Sequence, residues 1–341
     1  MKIVFFSTRA FERTSFPAAN AAHGHSLEFL SEGLSPATAI LARGAGCACL
    51  SVGDHAGQDG LAALREVGVR LIALRSAGFN HVDLDAAERL GLTVARVPAY
   101  SPHSVAEHAL ALLMTLNRKI HRAYNRIREQ NFSLEGLMGF DLHGKTVGVV
   151  GTGQIGEAFI RIMLGMGCRV LASDPYQNPR CVELGVRYVP TAGLWPACDV
   201  ISLNCPLTPQ TRHLVSDAAL ATIKPGAVLI NTSRGAVVDT VAVIAALKSG
   251  RLGGLAIDVY EEEGDLFYRD LSGEILQDDV FVRLMTFPNV LITGHQGFFT
   301  REAVAAIAET TLDNATRFER GTIPSENLVS ISHVVSSSSN A

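Results

Sequence analysis

The sequence predicts an α/β fold of two units, each built on a parallel sheet. Three observations carry that expectation. Short apolar runs alternate with helical stretches, the alternation lapses around 136–144 before it restarts, and 341 residues exceed what one ordinary domain holds. In the first unit, residues 2–6 (KIVFF), 47–52 (CACLSV), 69–74 (VRLIAL) and 92–97 (LTVARV) read as buried strands, with helices over 62–67 and 82–90. Ser101 and Pro102 then supply an N-cap and a preset first turn for one long helix from about 102 to 130. The second, larger unit has strands at 146–150, 169–173, 199–203, 227–231, 254–257 and 290–292. Helices are expected at 155–166, 217–222, 240–248 and 301–319. Residues 336–341 (SSSSNA) read as a solvated, disordered tail.

Composition narrows the class of function. Hydrophobic residues make up 48% of the chain, enough for large cores. Charges nearly balance, 29 Lys+Arg against 33 Asp+Glu, so no overall field recruits nucleic acid or an acidic membrane surface. The densest apolar stretch, 109–116, falls far short of the ~20 residues that a spanning helix needs. MKIVFFSTRAFE reads as a first buried strand and not as a signal peptide. The six cysteines form no CxxC pair and no metal-ligand spacing, so we expect free buried thiols, no metal and a reducing cytoplasm.

The segment Gly151-Thr-Gly153-Gln154-Ile155-Gly156 follows strand 146–150 directly and opens a helix. Gly151 permits a tight turn, Gly153 lets backbone approach a pyrophosphate, and Gly156 lets helix pack on strand. The next strand ends at Asp174, eighteen residues beyond Gly156, where a carboxylate accepts ribose hydroxyls and repels a 2′-phosphate. Strand, glycines, helix and acid arrive in the order of a dinucleotide site, with NAD preferred over NADP.

Four further residues stand just past three predicted strand ends, where an open parallel sheet binds its ligands. Strand 227–231 leads to Arg234, strand 254–257 to Asp258 and Glu263, and strand 290–292 to His295. Arg can grip a carboxylate with a two-pronged ion pair. His can donate a proton to a carbonyl oxygen, and an acid can orient the imidazole and favour its charged form. Singly, each has a plain alternative: a surface charge, a solvated acidic run, a structural histidine. Their shared position at strand ends selects the catalytic reading. His103 and His108, near the junction of the units, are the other histidines of interest.

The motifs RSAGFNHVDL (75–84), VPAYSPHSVAEHA (97–109), GTGQIG, SDPY, NCPLTP (204–209), NTSRGAVVD (231–239), DVYEEEGDLF (258–267) and TGHQGF (293–298) together resemble the D-2-hydroxyacid dehydrogenases. The resemblance is closest to their fermentative D-lactate dehydrogenase branch and runs from Met1 to about Leu328. It implies a smaller, flavodoxin-like catalytic domain formed by 1–99 and 299–341, a Rossmann-type NAD domain over 100–298, and substrate bound between them. It implies NAD-dependent reduction of pyruvate to D-lactate, with Arg234 anchoring substrate, His295 giving the proton and Glu263 paired with it. Ala77 and Gly78 would offer backbone N–H groups to the substrate carboxylate, and Tyr100 would lie against the same site. Gln154 and Ile155 would contact cofactor phosphates, and Asp174 the ribose. Cys205, Pro206 and Thr232 would line the nicotinamide half, with Val105 packed behind the ring and Asp258 near it and His295. Phe298 and Phe299 add bulk that favours a short substrate. Many relatives carry His where Asn204 stands, a mild departure in a turn of largely backbone contacts. The family implies a homo-oligomer, dimer or tetramer. Two alternatives stay open: another 2-keto acid such as glyoxylate, hydroxypyruvate or a bulkier one, and an NAD(H)-sensing scaffold on the same fold.

Overall fold

The structure, a computed structural model, describes residues 1–330. The tail expected at 336–341 lies outside the described residues. The chain forms two units, one from Met1–Ser101 together with the described residues from Phe299 onward, the other from Pro102–Phe298.

The first stretch runs β1 (Lys2–Phe5), α1 (Glu12–Asn20), β2 (Ser26–Phe29), β3 (Cys47–Leu50), α2 (Gln58–Glu66), β4 (Leu71–Leu74), α3 (Leu84–Arg89) and β5 (Thr93–Ala95). The apolar runs are continuous because β3 and β4 are buried along their whole length, as strands covered on both faces must be. β2 and α1 were not expected. β2 is a half-exposed edge strand without an apolar run. α1 contains Pro17 and is held by tertiary contacts: Phe16 packs edge-on to Phe5 at 4.7 Å, and Glu12 pairs with buried Arg75 at 2.9 Å.

The second unit runs α4 (Pro102–Arg118), α5 (Ile120–Arg128), β6 (Thr146–Val150), α6 (Gln154–Gly165), β7 (Arg169–Ser173), α7 (Pro179–Glu183), β8 (Arg187–Tyr188), α8 (Thr191–Ala197), β9 (Val200–Leu203), α9 (Asp217–Thr222), β10 (Ala227–Asn231), α10 (Thr240–Lys248), β11 (Leu252–Ile257), α11 (Asp279–Met285) and β12 (Val290–Ile292). Its seven strands are all parallel, in the order β12-β11-β10-β9-β6-β7-β8, and the order reverses between β6 and β9. Alternate residues of β10 serve two cores: Leu229 faces the α10 side with Val243 and Leu247, while Val228 and Ile230 face α4 and α6 with Leu113 and Phe159. The single helix expected over 102–130 is two. Lys119 is left-handed at φ +50, its Nζ donates to Met138 O, and the buried Asn117 side chain bonds both backbone groups of Phe140. Those contacts turn the chain in a way that helix periodicity does not reveal.

The chain then returns to the first unit with α12 (Arg301–Arg320), capped by Thr300 at one end and left-handed Gly321 at the other, and β13 (Leu328–Val329). The completed sheet reads β13-β5-β4-β3-β1-β2, parallel except for β13, which pairs antiparallel with β5. Its parallel part has the flavodoxin-type order 2-1-3-4-5.

Candidate active site

In the second unit the loops after β6 and β9 meet at the reversal of strand order, the place where open α/β sheets bind ligands. Gly151 has φ +90, and a Cβ there would stand 2.6 Å from the Asn204 carbonyl oxygen. At Gly156 a Cβ would collide with the backbone of Gly151. A Cβ at Gly153 would meet nothing within 4 Å, and Gly153 and Gln154 are exposed at the N-terminus of α6. The first and last glycines thus serve packing, and the middle one leaves open space where the helix end attracts an anion. Ile155 is half-buried behind them. Asp174 closes the turn: Oδ2 accepts from Thr152 N at 2.6 Å, and Oδ1 from Tyr176 N at 2.8 Å.

The loops after β10, β11 and β12 carry the other candidates. Asn231 is buried at the end of β10; its side-chain oxygen accepts from Ser233 N and Oγ, and its amide donates to Arg234 O at 2.9 Å. Gly235 follows because any Cβ there would overlap the backbone of Tyr260. The Arg234 guanidinium donates to Ser233 O at 2.7 Å and has no carboxylate partner among the described residues. Glu263 does have one: Oε1 lies 2.7 Å from His295 Nδ1, while Oε2 accepts from Tyr260 N at 2.9 Å. The neighbouring Glu261 is engaged elsewhere, 2.6 Å from His213 Nε2, so of these two acids it is Glu263 that serves His295. With Nδ1 on the acid, Nε2 is the ring nitrogen left for substrate.

His295 sits at φ +53, a conformation that costs a residue with a side chain ~1–3 kcal/mol and persists only where neighbours impose it. Asp258 is that neighbour. Only 2% exposed, it accepts from the Thr293 hydroxyl, Gln296 N at 2.9 Å and Gly297 N at 2.7 Å, with His108 Nε2 at 3.3 Å. Burial by itself would raise its pKa, yet the hydrogen bonds from His108, Thr293, Gln296 and Gly297 outweigh it and hold the carboxyl below its ordinary range. A depressed pKa contributes stability above the unfolded-state value that is lost as pH falls through the folded one, so this anchor is intact at neutral pH and fails only in acid. Tyr268 completes the setting: its ring stacks on the imidazole at 5.8 Å and its hydroxyl donates to His295 O at 3.0 Å.

In the first unit, the loop after β4 has its carbonyls occupied on one side. Ser76 O accepts from Val97 N at 3.1 Å, Ala77 O from Arg96 Nη1 at 3.1 Å, and Gly78 O from Ser76 Oγ at 2.7 Å. The N–H groups of Ala77 and Gly78 donate to no acceptor among the described residues. Tyr100 is half-buried past the end of β5, and Phe299 is 53% exposed with its ring edge-on to Phe11 at 4.8 Å. Phe298 is the last residue of the second unit.

Residues 110–297 match the model of the D-isomer specific 2-hydroxyacid dehydrogenase NAD-binding domain. The chain is 51% identical to the D-lactate dehydrogenase of Escherichia coli (strain K12) over 327 residues, 96% of this chain and 99% of that one. It therefore belongs to the D-2-hydroxyacid dehydrogenases. The apo structure of the Escherichia coli D-lactate dehydrogenase superposes with TM-score 0.89 at 48% identity, covering 96% of this chain and all of that one. The pyruvate reductase of Chlamydomonas reinhardtii superposes with TM-score 0.91 at 40% identity, covering 95% and 97%.

As a D-2-hydroxyacid dehydrogenase the chain is an NAD-dependent enzyme, and its own residues fit that cofactor. Besides the open space at Gly153, two buried side-chain oxygens at the sheet's carboxyl edge, Asn204 Oδ1 and Thr232 Oγ1, have no hydrogen-bond partner among the described residues. A buried acceptor without a donor costs ~1–3 kcal/mol; ribose hydroxyls and the carboxamide of NAD are donors of the kind that relieve it. Val105 is buried in the first turn of α4, and Pro206 is exposed beside buried Cys205. Burial pushes the Cys205 thiol up to about 11, so it is a packing group and no nucleophile. All six cysteines are buried and free, and no described helix is long and apolar enough to cross a membrane. Sequence reasoning passed over Asn231, Tyr268 and Thr293. An Asn closing a strand before Ser-Arg-Gly is a readable turn signal; nothing local marks Tyr268, which reaches His295 across twenty-seven positions.

Proposed function

We propose that this dehydrogenase reduces a short 2-keto acid, pyruvate foremost, to its D-2-hydroxy acid. The observation that carries the proposal is the His295–Glu263 pair, held at 2.7 Å on a loop whose strained backbone is fastened by Asp258. NADH, when bound, supplies the hydride. Arg234 grips the substrate carboxylate, and Ala77 and Gly78 offer their unused N–H groups to it. His295 Nε2 gives its proton to the carbonyl oxygen while Glu263 steadies the imidazolium. Tyr100, Phe298 and Phe299 limit the size of the remaining substituent. Gly151, Gly153, Gln154, Ile155 and Gly156 hold the pyrophosphate, Asp174 the adenine ribose, and Val105, Cys205, Pro206, Thr232 and Asp258 surround the nicotinamide half. The names of the relatives, a D-lactate dehydrogenase and a pyruvate reductase, support pyruvate over longer keto acids.

Oxidation of NADH with a panel of pyruvate, glyoxylate, hydroxypyruvate and a branched keto acid is the direct test, and pyruvate should give the highest kcat/KM. A bulkier acid at the top would move the assignment within the family; tight NADH binding without turnover on any of them would favour a sensing scaffold. In the same assay NADH should exceed NADPH by at least about 10-fold, since a phosphate beside Asp174 costs more than ~1.4 kcal/mol. Asp174→Ala should narrow that ratio and also raise KM for NADH, because it frees the Thr152 N–H that closes the turn. Equal use of both cofactors by the parent enzyme would remove Asp174 from the site.

A homo-oligomer, dimer or tetramer, is also proposed. It is supported by a surface around α5 where Tyr124 (61%), Phe132 (73%), Leu134 (83%) and Met138 (89%) are exposed. That backbone is tied down by Asn117, Lys119 and Arg126, so the apolar face is preformed for a second copy. Light scattering that returned the 36.4 kDa of one chain at micromolar concentration would rule it out.

A further inference from the structure

Arg96 belongs neither to the glycine turn nor to the Arg234–Glu263–His295 set, yet both its backbone and its guanidinium are held in place. Its N–H donates to Asn327 O at 2.8 Å, its carbonyl accepts from Asn314 Nδ2 at 2.9 Å, and Asn314 in turn accepts from Asn327 Nδ2 at 2.8 Å. With its backbone locked this way, the side chain reaches the loop after β4. Nη1 donates to Ala77 O at 3.1 Å, and the guanidinium lies over the Phe79 ring, 5.3 Å from its centre.

A peptide unit is planar and trans, so its C=O and N–H point in opposite directions. Fixing the Ala77 carbonyl therefore fixes the direction of the Gly78 N–H. The Ser76 carbonyl, held by Val97 N, fixes the Ala77 N–H in the same way. The donor on Ala77 O carries a full charge, which polarises the peptide and makes the Gly78 N–H a stronger donor on the far side.

We propose that Arg96 is a positioning residue for the substrate carboxylate, acting through the Ala77–Gly78 peptide without touching the substrate. This rests on the proposed use of the Ala77 and Gly78 N–H groups. A flexible ammonium would replace the hydrogen bond but not the planar stack on Phe79, so the guanidinium is specifically required.

The test is steady-state kinetics of Arg96→Met and Arg96→Lys, with oxamate inhibition, NADH titration by fluorescence and thermal melting in parallel. For Arg96→Met, KM for pyruvate and Ki for oxamate should rise together by about 10-fold or more. The kcat at saturating pyruvate and the Kd for NADH should stay near the parent's, with Arg96→Lys between the two enzymes. A folded Arg96→Met that keeps parental KM and Ki overturns the proposal. So does a loss of kcat and NADH affinity with KM unmoved, which marks a purely structural role. Should Arg96→Met fail to fold, Arg96→Lys and Phe79→Leu carry the same comparison. Gly78→Pro, which deletes the N–H itself, separates the two levels. If it leaves KM unchanged, the use of the loop as a carboxylate receiver is wrong; if it raises KM while the Arg96 variants do not, only the role of Arg96 is wrong.

Discussion

His295→Gln is expected to lower pyruvate reduction by roughly 10²–10⁴-fold, the usual worth of a positioned general acid, while NADH binding changes little. Glutamine can still donate to Glu263 but cannot deliver a proton to the developing alkoxide. The variant also meets the left-handed backbone at φ +53, which histidine tolerates better than most residues, so a stability loss of the order of 1 kcal/mol, seen as a modest fall in Tm, accompanies it. That stability loss is far smaller than the catalytic one. Fluorescence titration with NADH decides between roles: a collapse of cofactor affinity in step with activity would make His295 a structural residue.

Arg234→Lys should cost about 2–4 kcal/mol of transition-state stabilisation, seen as KM rising and kcat falling together. One guanidinium nitrogen is committed to Ser233 O, and the fork has no carboxylate partner among the described residues, so its charge is available to the substrate. Lysine brings a compact charge on a flexible stem and no planar pair of donors. NADH affinity and Tm should hold, because Asn231 and Gly235, not the Arg234 side chain, shape the loop. A Lys variant with parental kcat/KM on every short keto acid would strip Arg234 of the anchoring role.

The strands were legible because most of them are buried on both faces, which forces near-continuous apolar runs such as CACL and VLIN. The glycine turn was legible because its backbone contacts exclude any side chain at positions 151 and 156, leaving the sequence no freedom there. Arg234, Glu263 and His295 stood out as candidates by position, each a few residues past a strand end, and their separate roles were implied by the family resemblance. In contrast, α1, β2 and the break at Lys119 left no local trace, since a buried Phe16, an edge pairing with β1 and the Asn117 side chain impose them from a distance.

What the sequence by itself determined is the alternation of elements, the dinucleotide turn and the chemical types at the strand ends, because these are dictated by burial, sterics and ligand charge within short segments. Only the tertiary structure put Glu263 at hydrogen-bond distance from His295, fastened the strained His295 loop to Asp258, and brought the Arg96 guanidinium to the peptide after β4. Each of those joins groups from separate strands, and spacing along the chain carries no record of a hydrogen bond made across a sheet.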